Sequence, residues 1–287
     1  MVRDDHPSLG LPVALATKHG KEAAIGPALA ASPGLRVVVA EVETDRLGTF
    51  TGEVERPGLP RETALMKARL GQRATGLPRA LASEGAFGPH PHTFLTAAGL
   101  ELLAFVDAEL GIEVVEHDLT VDTTFAHIAA PDRGAVSAEF LSRAGFPSHA
   151  LVIRPDAPGA DGPIFKGVAD DATLADAIAR CAQGSADGLA AIETDMRADR
   201  NPTRMRHIAR LAKRLAARLT RRCPDCGTPG YGAVAAERGL PCAACAAPTD
   251  WVAVLVDGCA RCARRRPRPR DDGLRATDPA HCARCNP

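Results

Sequence analysis

Aromatic side chains are nearly absent from this chain, at 3% of its 287 residues, with one tryptophan and one tyrosine. That scarcity argues against the stacking platforms that grip single-stranded nucleic acid. Long apolar runs are missing as well, since no stretch approaches the roughly 18 residues that a membrane span requires. The opening MVRDDHPSLG carries no apolar h-region. A secretory signal is therefore not expected, and a cytoplasmic location is. Net charge is also absent, with 35 basic residues against 35 acidic ones. The balance conceals a division. From Asn201 onward there are 17 Lys/Arg and 7 Asp/Glu, whereas the first 200 residues carry 18 and 28. Such asymmetry points to an interacting tail.

Cysteine is present in quantity. Eight of the nine form four Cys-x-x-Cys pairs: Cys223/Cys226, Cys242/Cys245, Cys259/Cys262 and Cys282/Cys285. Two thiolates two residues apart sit on one tight turn, and two such turns close a tetrahedral shell around a soft cation. Four pairs predict two structural zinc ions. Reducing conditions favour metal over disulfides, and tandem pairs lack the thioredoxin-like context of a redox site. An iron–sulfur cluster is the other reading, because it too takes four thiolates. Sequential, nested and cross-braced pairings all stay open. The segment is too short and too poor in aromatics to bury a self-sufficient core, so metal is expected to nucleate it. Cys181, within the helical pattern LADAIARCAQ, reads as a buried structural thiol.

The remaining chain divides into a flexible tail (1–10), an α/β domain (11–200) and a basic linking helix (201–222), ahead of the zinc module (223–287). Strands are expected at LPVALAT, GLRVVVAEV, RALAS, LELLAFVD, IEVVEHDL, HALVIRP, IFKGV and LAAIETDM. Helices are expected at KEAAIGPALAA, RETALMKARLGQRA and LADAIARCAQ. This alternation predicts an α/β fold: a mostly parallel mixed sheet covered by helices, with an antiparallel excursion in the middle and a small zinc-ribbon-like module after it. The basic helix has Asn201 as N-cap and Pro202 at its first position. Met205, Ile208, Ala212, Leu215 and Leu219 form its apolar stripe. Its arginines either solvate a helix packed on its own domain or contact the phosphates of a nucleic acid.

In such sheets ligands collect where strands end. The first strand runs into Thr17-Lys18-His19-Gly20-Lys21-Glu22, where a hydroxyl, two lysines and a helix N-terminus suit a phosphate chain. The third strand leads into Ser83-Glu84-Gly85, where Glu84 could hold Mg2+ on a substrate's phosphates. Asp195, Arg197, Asp199, Arg200 and Arg204 gather where the last strand meets the basic helix. They either fix that turn as an ion-pair network or close the cleft, with Arg197 and Arg204 on phosphate and Asp195 near the metal. His90 and His92 are either exposed loop residues or metal ligands.

Taken together, Ala16-Thr17 with Lys21-Glu22, Glu62-Thr63-Ala64 with Lys67-Ala68, and Gly76-Leu77-Pro78 leading to Ala82-Ser83-Glu84-Gly85 resemble the house-cleaning nucleoside triphosphate pyrophosphatases that act on inosine and xanthosine triphosphates. The resemblance covers about residues 11–120. It implies that the first motif takes the triphosphate, that the Lys67 helix borders the cleft, and that acids after the central strand coordinate Mg2+. His19 stands where that superfamily carries Asn, and Lys21 follows Thr17 by four positions instead of five. Further on, Phe146-Pro147-Ser148-His149, Lys166-Gly167 and Glu193-Thr194-Asp195-Met196-Arg197, with the cysteine tail, resemble a bacterial family of no established activity.

Two functions follow as expectations. The first is a Mg2+-dependent hydrolase that cleaves a phosphoanhydride in a nucleoside triphosphate. Thr17, Lys18, Lys21, Arg197 and Arg204 would hold phosphate, Lys21, Glu84 and Asp195 would serve catalysis, and Glu43 or Asp45 would assist Glu84 with the metal. The second is a non-catalytic zinc protein that binds nucleic acid through residues 201–222 and the zinc module.

Overall fold

The computed structural model describes residues 8–49, 53–91, 95–157 and 162–287. Most of the expected 1–10 tail, and His92, lie outside the described residues. The first five strands are β1 (Pro12–Ala16), β2 (Arg36–Ala40), β3 (Arg79–Pro89), β4 (Ala97–Asp107) and β5 (Ile112–Thr120), and they form one sheet in the order β2-β1-β3-β4-β5. β1 runs parallel to β2 and β3, while β4 and β5 pair antiparallel. The fold is thus α/β with a mixed sheet, as the alternation of elements predicts. Its two faces are covered differently. Helices α1 (Glu22–Ala31) and α5 (Pro202–Thr220) bury one face, packing Ile25, Leu29, Ile208, Leu211 and Leu215 on Val13, Leu15, Leu81, Leu103 and Phe105. Helix α2 (Pro60–Thr75) covers the other with small residues, Ala64 and Ala68 against Ala14, Ala16, Ala80, Ala82 and Ala104. Alanine on alanine lets that helix lie close: a Cβ on Gly71 would stand 3.4 Å from the Ala16 Cβ.

The segment called a linking helix is a core element. α5 starts at Asn201, whose side chain accepts from the Arg204 amide at 2.9 Å, with Pro202 next. Ile208, Ala212, Leu215 and Leu219 of its stripe are buried, and Met205 packs at the edge.

Residues beyond 121 do not extend the first sheet. β6 (His127–Ala130), β7 (Leu151–Pro155), β8 (Phe165–Val168) and β9 (Ala190–Thr194) form a second sheet, ordered β6-β9-β7-β8 and antiparallel throughout. Helix α4 (Asp171–Gln183) carries the chain from β8 over β7 to β9. With α3 (Ala138–Ala144) it closes a separate core of Phe140, Leu151, Ile153, Leu174, Ile178 and Ile192. Cys181 is fully buried there, its thiol donating to the Pro163 carbonyl. β6 and α3 escape the sequence pattern because four and seven residues are too few to show a period.

The last 65 residues hold a three-stranded antiparallel sheet, β10 (Gly232–Arg238), β11 (Val252–Gly258) and β12 (Arg265–Arg268). No helix among the described residues is long and apolar enough to cross a membrane.

Candidate functional site

A cleft of about 330 Å3 opens at the carboxyl ends of β1 and β2 and over the part of β3 that runs on past β1, with the second sheet as its far wall. Alternation along β3 sends successive side chains to opposite faces. Ala82 and Glu84 therefore face α2, and Ser83 and Gly85 face α1 and α5. Both kinds reach the cleft because the sheet ends there. Thr17, Lys18, Lys21, Glu84, Asp195, Arg197 and Arg204, the residues singled out in the sequence, all line it. β3 runs on to Pro89, so Glu84 sits within a strand and not after one.

The cleft's cations differ in what they touch. Lys18 lies 2.9 Å from both Glu43 and Asp45, and those hydrogen bonds raise its pKa. Lys67 reaches one Glu84 oxygen at 2.7 Å, and Arg56 reaches the other at 2.9 Å and the Gly85 carbonyl at 2.8 Å. Lys166 pairs with Glu53. Arg197 grips Asp195 through its guanidinium, at 2.6 Å for the shortest contact, and through its backbone amide at 3.0 Å. The Gly167 amide also donates to Asp195, at 3.1 Å. Arg204 is buried on Glu101 and on the Met196 carbonyl, which ties α5 to both sheets. Its approach requires Gly85, where a Cβ would stand 2.5 Å from Arg204 Nη2.

Lys21 is the exception. It occupies the N-cap of α1, is 8% exposed, and its ammonium has no ion-pair partner among the described residues. Burial, then the Arg204 charge, pull its pKa down to about 7. Burial and the Lys21 charge likewise lower His19, which stands 3.3 Å from Asp199. Ser83 lines the same cleft, is 3% exposed, and its hydroxyl has no hydrogen-bond partner among the described residues. Ser83 thus carries a buried hydroxyl whose bonding capacity is unused among the described residues, at an energetic cost that a ligand would relieve, while Lys21 brings a buried lysine to the same cleft.

Phe87 and Phe125 also line the cleft, stacked with centroids 6.3 Å apart. Neither was picked out in the sequence, nor were Arg56 and Glu101. Only the period-two alternation after Glu84 could have suggested Phe87, and nothing local marks the others.

The eight paired cysteines gather into two groups, Cys223/Cys226 with Cys259/Cys262 and Cys242/Cys245 with Cys282/Cys285. First pair meets third and second meets fourth, so the pairing is cross-braced. Inter-pair sulfurs lie 3.6–3.8 Å apart. A disulfide needs about 2.05 Å. Four sulfurs about 2.3 Å from one zinc lie roughly 3.8 Å from each other, so each group has the dimensions of a four-thiolate zinc site. A multinuclear iron–sulfur cluster interposes several irons and sulfides and needs a wider cage. The first group is built into the protein: Ala260 packs on the α1/α5 core, and Arg218 of α5 donates to the Gly230 carbonyl at 3.0 Å. The second rests on its own turns, with Thr277 bridging to Pro241 and Ala243.

The arginines of α5 meet the chain's own acids. Arg210 and Arg214 pair with Asp118 at 3.3 and 3.1 Å, and Arg214 and Arg218 with Glu116 at 3.2 and 2.9 Å. That is the packed-helix arrangement, and it leaves these side chains engaged where a phosphate contact would need them.

A family model described as a domain of unknown function, DUF6671, matches residues 67–287. Lys67, Glu84, Asp195, Arg197, Arg204 and all eight paired cysteines fall inside the match, while Thr17, Lys18 and Lys21 precede it. No curated protein matches the chain.

Proposed function

The chain belongs to the DUF6671 family, and from its cleft we propose that it binds a phosphorylated small molecule of nucleotide size and cleaves a phosphoanhydride bond in it. The observation that carries this reading is Lys21, a buried lysine at a helix N-terminus with no ion-pair partner among the described residues, with the unsatisfied Ser83 hydroxyl lining the same cleft. An anionic ligand answers both. The cleft's volume falls within the range of small-molecule sites, and the Phe87–Phe125 pair offers an apolar face to a flat ring.

Each lining residue has a task in this reading. Lys21 and the first turn of α1 receive phosphate, with Thr17 and Lys18 alongside. Arg197, held by Asp195, presents the remainder of its guanidinium at the mouth. Arg204 positions the wall through Glu101. Glu84, fixed by Lys67 and Arg56, offers hard carboxylate oxygens, as do Glu43 and Asp45 opposite, and these are the donors that magnesium prefers. When bound there, Mg2+ would neutralise phosphate charge and polarise a water. The likeness to inosine and xanthosine triphosphate pyrophosphatases supports a nucleoside triphosphate as substrate. The two cysteine groups hold structural zinc, and elemental analysis is expected to return two zinc ions per chain.

The test is purified zinc-loaded protein, Mg2+, and a panel of standard and noncanonical nucleoside triphosphates, with release of phosphate and pyrophosphate followed. Glu84→Ala should abolish release and weaken Mg2+-dependent substrate binding. Silence across the panel, with no effect of Glu84→Ala on any binding or turnover, sinks the hydrolase.

A further inference from the structure

We infer that the cleft takes up a proton as a polyanion enters it, and that Lys21 is the acceptor. The inference deepens the proposed function and rests on it only in requiring that the cleft bind a polyanionic phosphate; hydrolysis is not assumed.

The groups that face Lys21 come from four elements besides its own. Arg204 approaches from α5, Lys67 from α2, Glu84 from β3 and Glu101 from β4, with His19 just before it in the chain. The two carboxylates favour an ammonium, yet Glu101 is tied to Arg204, and Glu84 to Lys67 and Arg56. Arg204 and Lys67 are the other halves of those pairs, so the four charges largely offset one another, and burial is the largest influence on Lys21, disfavouring its protonated form. Lys18 supplies the contrast from the same wall. It has two carboxylates at 2.9 Å and keeps its proton. Lys21, with a pKa brought down to about 7, is mostly a neutral amine in the empty cleft at pH 8.

A di- or triphosphate beside that amine reverses the balance, because its negative charge favours the ammonium as strongly as the empty site disfavours it. The pKa returns toward the ordinary lysine range and a proton enters with the ligand. At pH 8 the uptake should approach about one proton per ligand, and at pH 6 it should be about a tenth of that, since the amine is already protonated. Affinity for polyanions should therefore fall by up to about tenfold per pH unit above pH 7. Neutral ligands lack this linkage, so the site selects multiply charged phosphates most strongly on the acidic side.

Isothermal titration calorimetry of the full zinc-loaded chain with inorganic tripolyphosphate decides the matter. It is run at pH 6 and pH 8, each in two buffers of different ionisation enthalpy. The expected result, after subtracting the proton exchange of the phosphate itself as read from Lys21→Arg, is a buffer-dependent heat at pH 8 equivalent to about one proton taken up, shrinking strongly at pH 6. Lys21→Arg, which stays charged, should bind with no proton uptake and show only what the phosphate itself releases. Binding with no buffer dependence at pH 8 overturns the inference and leaves the cleft reading standing. Uptake that persists in Lys21→Arg also overturns it, and assigns the proton to His19. No binding at either pH removes both readings.

Discussion

The cleft and the flank of α5 are both rich in cations, and they differ in one respect. On α5, Arg210, Arg214 and Arg218 each meet a carboxylate of β5. In the cleft, among the described residues, Lys18, Arg56, Lys67, Lys166, Arg197 and Arg204 are paired and Lys21 is not. The helix has by far the higher density of positive charge in the sequence, yet its charge is answered within the fold. The lesson is that a cation signals a ligand by lacking a partner, not by being one of many. Charge density is legible in a sequence, whereas pairing becomes visible only once strands have met.

The sharpest way to stress this contrast is to strip a partner from a paired cation. Arg204 and Glu101 are 1% and 3% exposed at their side chains. Glu101→Gln leaves a buried guanidinium without its charge partner and should cost about 3–5 kcal/mol in chemical denaturation. A loss below 1 kcal/mol would mean that Arg204 is as free as Lys21, and the distinction would collapse. The next effect comes from Lys21 itself through pH. Its folded pKa lies below its unfolded value, so between about pH 7 and 10.5 the unfolded chain binds more protons than the folded one. Stability of the ligand-free protein should then rise with pH across that window, by at most about 1.4 kcal/mol per unit. Lys21→Met should flatten the rise. An unchanged slope in the variant would assign the titration elsewhere. Smaller again is Ser83→Ala. Its hydroxyl makes no bond in the fold, so stability should hold or improve slightly, while tripolyphosphate binding should weaken by about tenfold, or ~1.4 kcal/mol.

Much of this architecture can be read from the chain. The 3.6-residue period of Ile208, Ala212, Leu215 and Leu219 placed α5, and the apolar runs placed β1, β2, β4 and β5. The strand-end rule points to Thr17, Lys18 and Lys21, whereas Glu84 reaches the same cleft from within β3. The cysteine spacing implied two metal sites. Cross-bracing was not readable, because 15 and 13 intervening residues satisfy every pairing, and only the gathering of the sulfurs in the fold shows which pairs meet. The second sheet was hidden for a similar reason. Short strands such as His127–Ala130 show which residues are extended and not which neighbour they join. Arg56 and Phe125 reach the cleft from loops far apart in sequence, and Glu101 meets Arg204 from β4, so no local pattern unites them.

The smallest effect tests the other half of the comparison. Arg210 and Arg214 are about half exposed, and each pairs with Asp118 at the rim of β5. Exposed pairs of this kind contribute about 0.2–1 kcal/mol, because water screens the attraction and ordering two long side chains costs entropy. The double variant Arg210→Ala, Arg214→Ala should therefore lower stability by no more than about 1–2 kcal/mol. It should leave tripolyphosphate binding unchanged, since neither residue lines the cleft. If these arginines instead serve a nucleic acid, the variant should abolish a salt-sensitive shift of a generic RNA pool, with a wild-type slope that reports several phosphate contacts. A strong wild-type shift lost in the double variant would show that paired arginines can exchange their carboxylates for phosphates. The rule drawn from Lys21 would then hold only for buried cations, where the desolvation cost makes a missing partner informative.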